Sequence, residues 1–266
     1  MKIFISADIE GIATTSSWLD TNPKEKDYPF HARQMTQEVL AAIRGAAEAG
    51  ATEIVLRDAH GSANNIDVSQ LPDQVKVVRG WEGHPYMMVQ GIDSSFDAVM
   101  FIGYHCAAGG IGNPMSHTMT LRTQKAVVNG MPLSEFALYS WCAANEGVPA
   151  VFLSGDKAIC QQGMELYPWL KTAAVKEGVG SSTISVAPCR AVSMIYQGAY
   201  DAIKGFNPSA YKPQLPEHYS VQLIYKEHTM ASEMSYFPGA KRLDSHTVGL
   251  EEDNIFELAR KLKFML

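Results

Sequence analysis

Apolar residues in this chain alternate between two textures, short unbroken runs and longer segments with a helical period. The short runs are Lys2–Asp8 (KIFISAD), Glu53–Arg57 (EIVLR), Val75–Val78 (VKVV), Ala98–Tyr104 (AVMFIGY) and Ala150–Leu153 (AVFL). A run that is apolar on both faces predicts a strand buried on both sides, the habit of parallel sheets covered by helices. Helical patterns fall between them, from about Phe30 to Ala49 and from about Leu133 to Asn145. Gly50 closes the first of these as a C-cap would. Ala126–Gly130 ends in Asn-Gly, a strong local signal for a tight hairpin. Past about Ser185 the texture changes. A helical stretch (Ala191–Lys204) leads into Pro208, Pro213 and Pro216, then a strand at His218–Tyr225 and a final helix at Glu251–Phe264. The pattern predicts an α/β fold, with a mainly parallel sheet and helices on both faces over residues 1–190. A smaller C-terminal α+β portion is expected over residues 191–266.

Composition then removes whole classes of function. With 22 basic against 28 acidic residues and no Lys/Arg block, neither nucleic acid nor an anionic membrane is an expected partner. No apolar run approaches the roughly 18 residues of a spanning helix. Asp8 and Glu10 interrupt the N-terminal apolar run before a signal-peptide core could form. The four cysteines (Cys106, Cys142, Cys160, Cys189) show no CxxC and no framework spacing, as expected of reduced thiols in the cytoplasm.

Three of the expected strands run directly into metal-type side chains. The first reaches Asp8-Ile9-Glu10, the second Asp58-Ala59-His60, and the third Gly103-Tyr104-His105. In an open parallel sheet, ligands bind beyond the carboxyl ends of the strands, so three such endings point to one site. Residues i and i+2 of a strand point the same way about 6.6 Å apart, so Asp8 and Glu10 can reach two sides of one metal cluster. Singly, each residue has a plainer reading. Asp8 could cap a turn, Glu10 could be solvated, and His60 or His105 could be structural. His117, in Asn113–Met119, sits among small and turn-forming residues. Glu135 stands where a helix start favours a carboxylate anyway. Together, Asp8, Glu10, His60, His105 and Glu135 exceed the roughly three protein ligands of one catalytic zinc. Two divalent ions would be balanced by three carboxylates and one hydroxide, and a His/carboxylate set without thiolate suits Zn²⁺ best.

Ser-Ala-Asp-Ile-Glu-Gly-Ile at the N-terminus, Asp58-Ala59-His60-Gly61, Gly103-Tyr104-His105, Met115-Ser116-His117-Thr118 and the Asn129–Glu135 stretch together resemble the zinc D-aminopeptidases of the DppA type. The resemblance spans essentially the whole chain. It implies a cytoplasmic dinuclear-zinc hydrolase that removes N-terminal D-amino acids, notably D-alanine, from short peptides. It also implies a decamer of two stacked five-fold rings around an inner chamber. By resemblance, Asp8 matches the ligand bridging both zinc ions, and Glu10, His60, His105 and Glu135 match the other ligands. His117 matches the catalytic histidine. Ala59, Cys106 and Ser134 depart from the family's commoner serine, alanine and glycine, and Cys106 places a soft sulfur beside a metal ligand. Two rival readings are a dinuclear metal phosphoesterase and a non-catalytic peptide- or metal-binding ring protein. The first lacks a Gly-rich phosphate loop or clustered arginines; the second would not require all five ligands plus His117.

Overall fold

The computed structural model describes residues 1–266. The chain begins with β1 (Lys2–Ala7), α1 (Tyr28–Glu48), β2 (Glu53–Asp58), β3 (Val75–Val78) and β4 (Ala98–Tyr104). Next come the hairpin β5 (Thr123–Val128) and β6 (Met131–Pro132), α2 (Glu135–Asn145), β7 (Ala150–Asp156) and α3 (Lys157–Leu166). β8 (Lys171–Val179), β9 (Ser182–Ser185) and α4 (Pro188–Lys204) come after these. The last elements are β10 (Tyr219–Tyr225), α5 (His228–Met234), β11 (Ala240–Arg242), β12 (Thr247–Glu252) and α6 (Ile255–Met265).

Seven strands form the main sheet in the order β3-β2-β1-β4-β7-β8-β9, all parallel except β9. β2 and β3 lie on one side of β1 and β4 on the other. The strand order therefore reverses between β1 and β4, and a crevice opens beyond their carboxyl ends. Alternation within the strands feeds two cores. Ile3, Ile5 and Ala7 pack with Met35, Val39 and Ile43 of α1 and Ile195 of α4, whereas Phe4 and Phe101 join Phe136 of α2 on the opposite face. Both faces are thus covered, as continuous apolar strands require.

The second sheet is antiparallel throughout, ordered β11-β12-β10-β5-β6. Asn129 and Gly130 take positive φ values of 50° and 82°, the backbone a two-residue hairpin turn demands. The expected boundary at residue 190 cuts across the sheets. β5 and β6 belong with the C-terminal strands, while α4 packs on α1 against the main sheet. The expected helix over Glu251–Phe264 is also corrected. Glu251 and Glu252 end β12, where Val248 and Leu250 alternate into the core. Asn254 then caps α6 by accepting from the N–H groups of Phe256 and Glu257. α3, β8 and β9 had no expectation attached to them. Lys171–Val179 (KTAAVKEGV) is poor in β-formers, and pairing with β7 decides its state.

The crevice depends on a very close backbone approach. Gly11 N–H donates to Gly103 O at 2.7 Å, and a Cβ on Gly11 would lie 1.8 Å from Tyr104 O. Gly103 itself takes φ +73°, and a Cβ there would stand 2.3 Å from Asp8 O. Only glycine fits either position. Gly11→Ala is expected to destabilise the fold by about 3 kcal/mol, read as a lowered denaturant midpoint, because no side chain can yield to relieve a backbone clash.

Candidate metal centre

Asp8 comes directly after β1, and its N–H still donates to Ile102 O of β4 at 2.8 Å. Glu10 lies two residues on, in the turn that crosses the β4 end. His60 stands two residues past β2, in a loop clamped by the buried Asp58. That carboxylate accepts from the N–H groups of Asn65 and Ile66 at 2.5 and 2.9 Å and from Asn65 Nδ2 at 2.7 Å. His105 is the residue after β4, and Glu135 opens α2. Ser134 caps that helix by accepting from Ala137 N–H, so the Glu135 carboxylate is free to turn elsewhere. His117 comes from the long β4–β5 connection. All six expected site residues therefore meet at one crevice, and all line it except His105, which is wholly buried beneath.

The donor atoms around Asp8 fall into two groups that share that residue, and His117 offers a further donor within 4.8 Å of those of His105 and Glu135. His60 Nδ1 lies 3.3 Å from Asp8 Oδ1 and 2.9 Å from Glu10 Oε2. His105 Nε2 lies 3.5 Å from Asp8 Oδ2 and 3.3 Å from Glu135 Oε2. Donors set about 2.0–2.1 Å from a tetrahedral zinc are separated by about 3.3 Å, so both groups have the spacing of ligands around an ion. Despite these short contacts, Glu10 Oε2 and His105 Nε2 are buried without an aligned hydrogen bond. Buried polar atoms left in this way call for a partner, and a cation between them supplies it. Charge agrees: the three buried carboxylates pair with imidazoles alone, and no Lys or Arg reaches them. Burial, then repulsion from Glu10, pushes Asp8 well above the usual carboxylate range, although His60 and His105 pull it back. The donor set thus fits divalent metal ions. Cys106 stands apart from both groups, with its sulfur 3.1 Å from Ser116 Oγ.

The imidazoles are oriented by backbone carbonyls. His105 Nδ1 faces Cys106 O at 3.0 Å, which makes Nδ1 the protonated nitrogen and leaves the Nε2 lone pair to the cluster. His117 Nδ1 faces Met115 O at 3.0 Å, and its Nε2 lies 3.5 Å from Glu135 Oε1. The two rings stack 4.3 Å apart, and Trp18 meets His117 edge-on at 5.1 Å. Burial and the neighbouring His105 lower the His117 pKa, favouring a neutral imidazole.

One supporting residue carried no sequence signal. Lys176, inside β8, reads as a surface lysine in a Lys/Glu-containing stretch, yet it is buried. Its ammonium donates to Glu10 O, to Thr15 O at 2.7 Å and to Thr15 Oγ1 at 2.9 Å. Asn113 Nδ2 donates to the same Glu10 carbonyl at 3.1 Å. The Glu10 backbone is thereby held while its side chain turns to the cluster. Burial pushes the Lys176 ammonium down to about 8.

The crevice holds a cavity of about 390 Å³ that no Lys or Arg lines. Comparison with known proteins agrees with this chemistry. At 27% identity, the chain is similar to a D-aminopeptidase of Bacillus subtilis (strain 168), over all of this chain and 96% of that protein. It also superposes, with a TM-score of 0.91 and 25% identity, on a solved structure over all of this chain and 96% of that one. That structure is described as the Zn-dependent D-aminopeptidase DppA from Bacillus subtilis, a self-compartmentalizing protease. The family model of the M55 peptidases, described as D-aminopeptidase, matches residues 1–264, and the chain belongs to that family.

Proposed function

We propose that this D-aminopeptidase is a dinuclear zinc enzyme that releases N-terminal D-residues, D-alanine among them, from short peptides. The observation that carries the reading is the split of Asp8, whose two oxygens face two different imidazole–carboxylate groups. Asp8, Glu10 and His60 would hold one ion, and Asp8, His105 and Glu135 the other. A bound pair of divalent ions would supply Lewis-acid polarisation of the scissile carbonyl and a water acidic enough to ionise near neutral pH. His117, neutral and fixed through Nδ1, is suited to accept a proton at Nε2 and to return it to the leaving amine. The donor count supports two ions over one. A substrate panel tests the activity: D-Ala dipeptides and amides should be cleaved faster than their L-counterparts, with two equivalents of zinc per chain at full activity. Equal or reversed stereopreference, or saturation at one zinc, would refute the corresponding part.

Two variants separate holding a metal from moving a proton. His117→Ala should retain both ions and lose about 10²–10⁴ in kcat, the usual share of a general acid–base. Loss of metal in that variant would instead make His117 a ligand. Lys176→Met should weaken metal binding about 10- to 100-fold, since groups that orient a ligand carry that much affinity. Zinc titration should show the loss confined to the ion on the Glu10 side.

The described self-compartmentalization of the Bacillus subtilis relative supports a closed assembly for this chain too, which we take to be a decamer of two five-fold rings. A chamber of that kind would admit short peptides and exclude folded proteins. No helix is long and apolar enough to cross a membrane, which fits the proposed cytoplasmic setting. Ten chains of 29.1 kDa would run near 290 kDa by light scattering, and a stable monomer would refute the assembly.

A further inference from the structure

The cavity has a wall that the donor cluster does not use, made by Trp18, Trp81, Met87, Met88, Met119 and Leu121. Trp81 and Met119 are tied to the site by hydrogen bonds. The Trp81 indole donates to Gly61 O at 2.7 Å, beside His60, and its ring lies over the buried Arg57 guanidinium at 4.2 Å. Arg57 is locked in turn, since its Nη1 donates to Gly80 O at 2.6 Å. Met119 holds a left-handed φ of 62°, and its N–H donates to Glu135 Oε1 at 2.7 Å. Met87 also has positive φ, at 28°. Strained, non-glycine backbone of this kind persists where surroundings over-determine it, and it collects at functional sites. The backbone of the wall is therefore held beside the donors, while its side chains keep their rotamer freedom.

Its exposure is equally telling. Trp18 and Trp81 are each 38% exposed and Leu121 48%, so the wall presents wide apolar area to water beside the cluster. A bound side chain of matching size would remove that area from water; a methyl group would leave most of it wet. No Lys or Arg lines the cavity, so an acidic side chain would find no ammonium or guanidinium partner there. An aminopeptidase keeps the first residue at the closed end of its cleft and lets the rest of the peptide run outward. Met88 is buried and Met87 and Met119 are half-buried, whereas Trp18, Trp81 and Leu121 are exposed, so the methionines form the deeper part of the wall, the part suited to the side chain of the first residue. Methionine walls adapt to varied apolar shapes without demanding one.

We propose that this wall is the subsite for the side chain of the released residue, and that it selects bulky apolar D-residues over D-alanine. The proposal rests on the D-aminopeptidase reading above. Its test compares kcat/KM of the zinc-loaded enzyme on the amides of D-Leu, D-Phe, D-Ala and D-Asp, and on the dipeptides D-Ala-Leu and D-Ala-Gly. D-Leu and D-Phe amides should exceed D-Ala amide at least about tenfold, as extra buried methylenes do in apolar pockets, with D-Asp amide the poorest. Trp81→Ala should narrow that ratio, chiefly by raising KM for D-Phe amide. Should Trp81→Ala fail to fold, Leu121→Ala, at the exposed rim, should narrow it as well. D-Ala amide cleaved as fast as the larger amides would overturn the proposal. So would a flat response to the first residue with D-Ala-Leu outrunning D-Ala-Gly, which would place the wall on the leaving-group side. If no D-amide is cleaved while zinc is bound, the aminopeptidase reading fails, and this subsite falls with it.

Discussion

Asp8 points one carboxylate oxygen at His60 and the other at His105, and that split has to be maintained inside a buried core. Burying three carboxylates within a few ångströms is unfavourable by itself, since each loses hydration and each repels the others. The arrangement survives only if the backbone leaves the side chains no alternative and positive charge answers them. Backbone control comes from the β1–β4 junction. Asp8 N–H continues the ladder to Ile102, and Gly11 and Gly103 let the next turn lie directly on the end of β4. A slip of one residue there would turn Asp8 away from the crevice and bring Ile9 into it.

Around that junction, buried polar groups hold loops and leave the donor side chains free. Asp58 gathers the N–H groups of the loop after His60, and Asp156 takes those of Cys106 and Ile159. Lys176 does the converse, offering donors to carbonyls in the turn that carries Glu10. In each case a charged side chain satisfies backbone that has left regular structure, the condition for a rigid loop in a dry interior. The six site residues are loop or element-terminal residues, but none is on a floppy loop.

The donor set was legible because its residues end strands whose apolar runs stand out in the sequence. β1, β2 and β4 each announce where a parallel strand stops, and the residues just beyond are Asp-x-Glu, Ala-His and His in turn. Glu135 and His117 were legible less from pattern than from resemblance, since a helix-start carboxylate and a loop histidine have ordinary uses. Lys176 was not legible at all. Its meaning arises when β8 pairs with β7 and brings residue 176 against residue 10, a contact that no local periodicity encodes. The Glu251–Phe264 segment shows the opposite failure. The helix was expected from Glu251, but cross-strand partners on β10 hold Glu251 and Glu252 in β12.

The antiparallel sheet belongs to the same constraint, although none of its strands supplies a donor. Leu133, just past β6, accepts from Thr118 Oγ1 at 2.7 Å through its carbonyl, and its own N–H donates to Ala126 O of β5 at 2.9 Å. Thr118 Oγ1 in turn accepts from Ala108 N–H at 3.1 Å. The loop bearing His117 is therefore tied at once to the hairpin before α2 and to the segment after His105. Glu135 lies three residues past that hairpin and grips Met119 N–H, closing the circuit. β5 pairs along its length with β10, whose position is fixed by β12 and the core beneath α6. Packing in the C-terminal strands thus reaches the stacked His105–His117 pair through a few hydrogen bonds. The main sheet sets where the clustered carboxylates and imidazoles can stand, and the second sheet sets how closely the His117 ring approaches them.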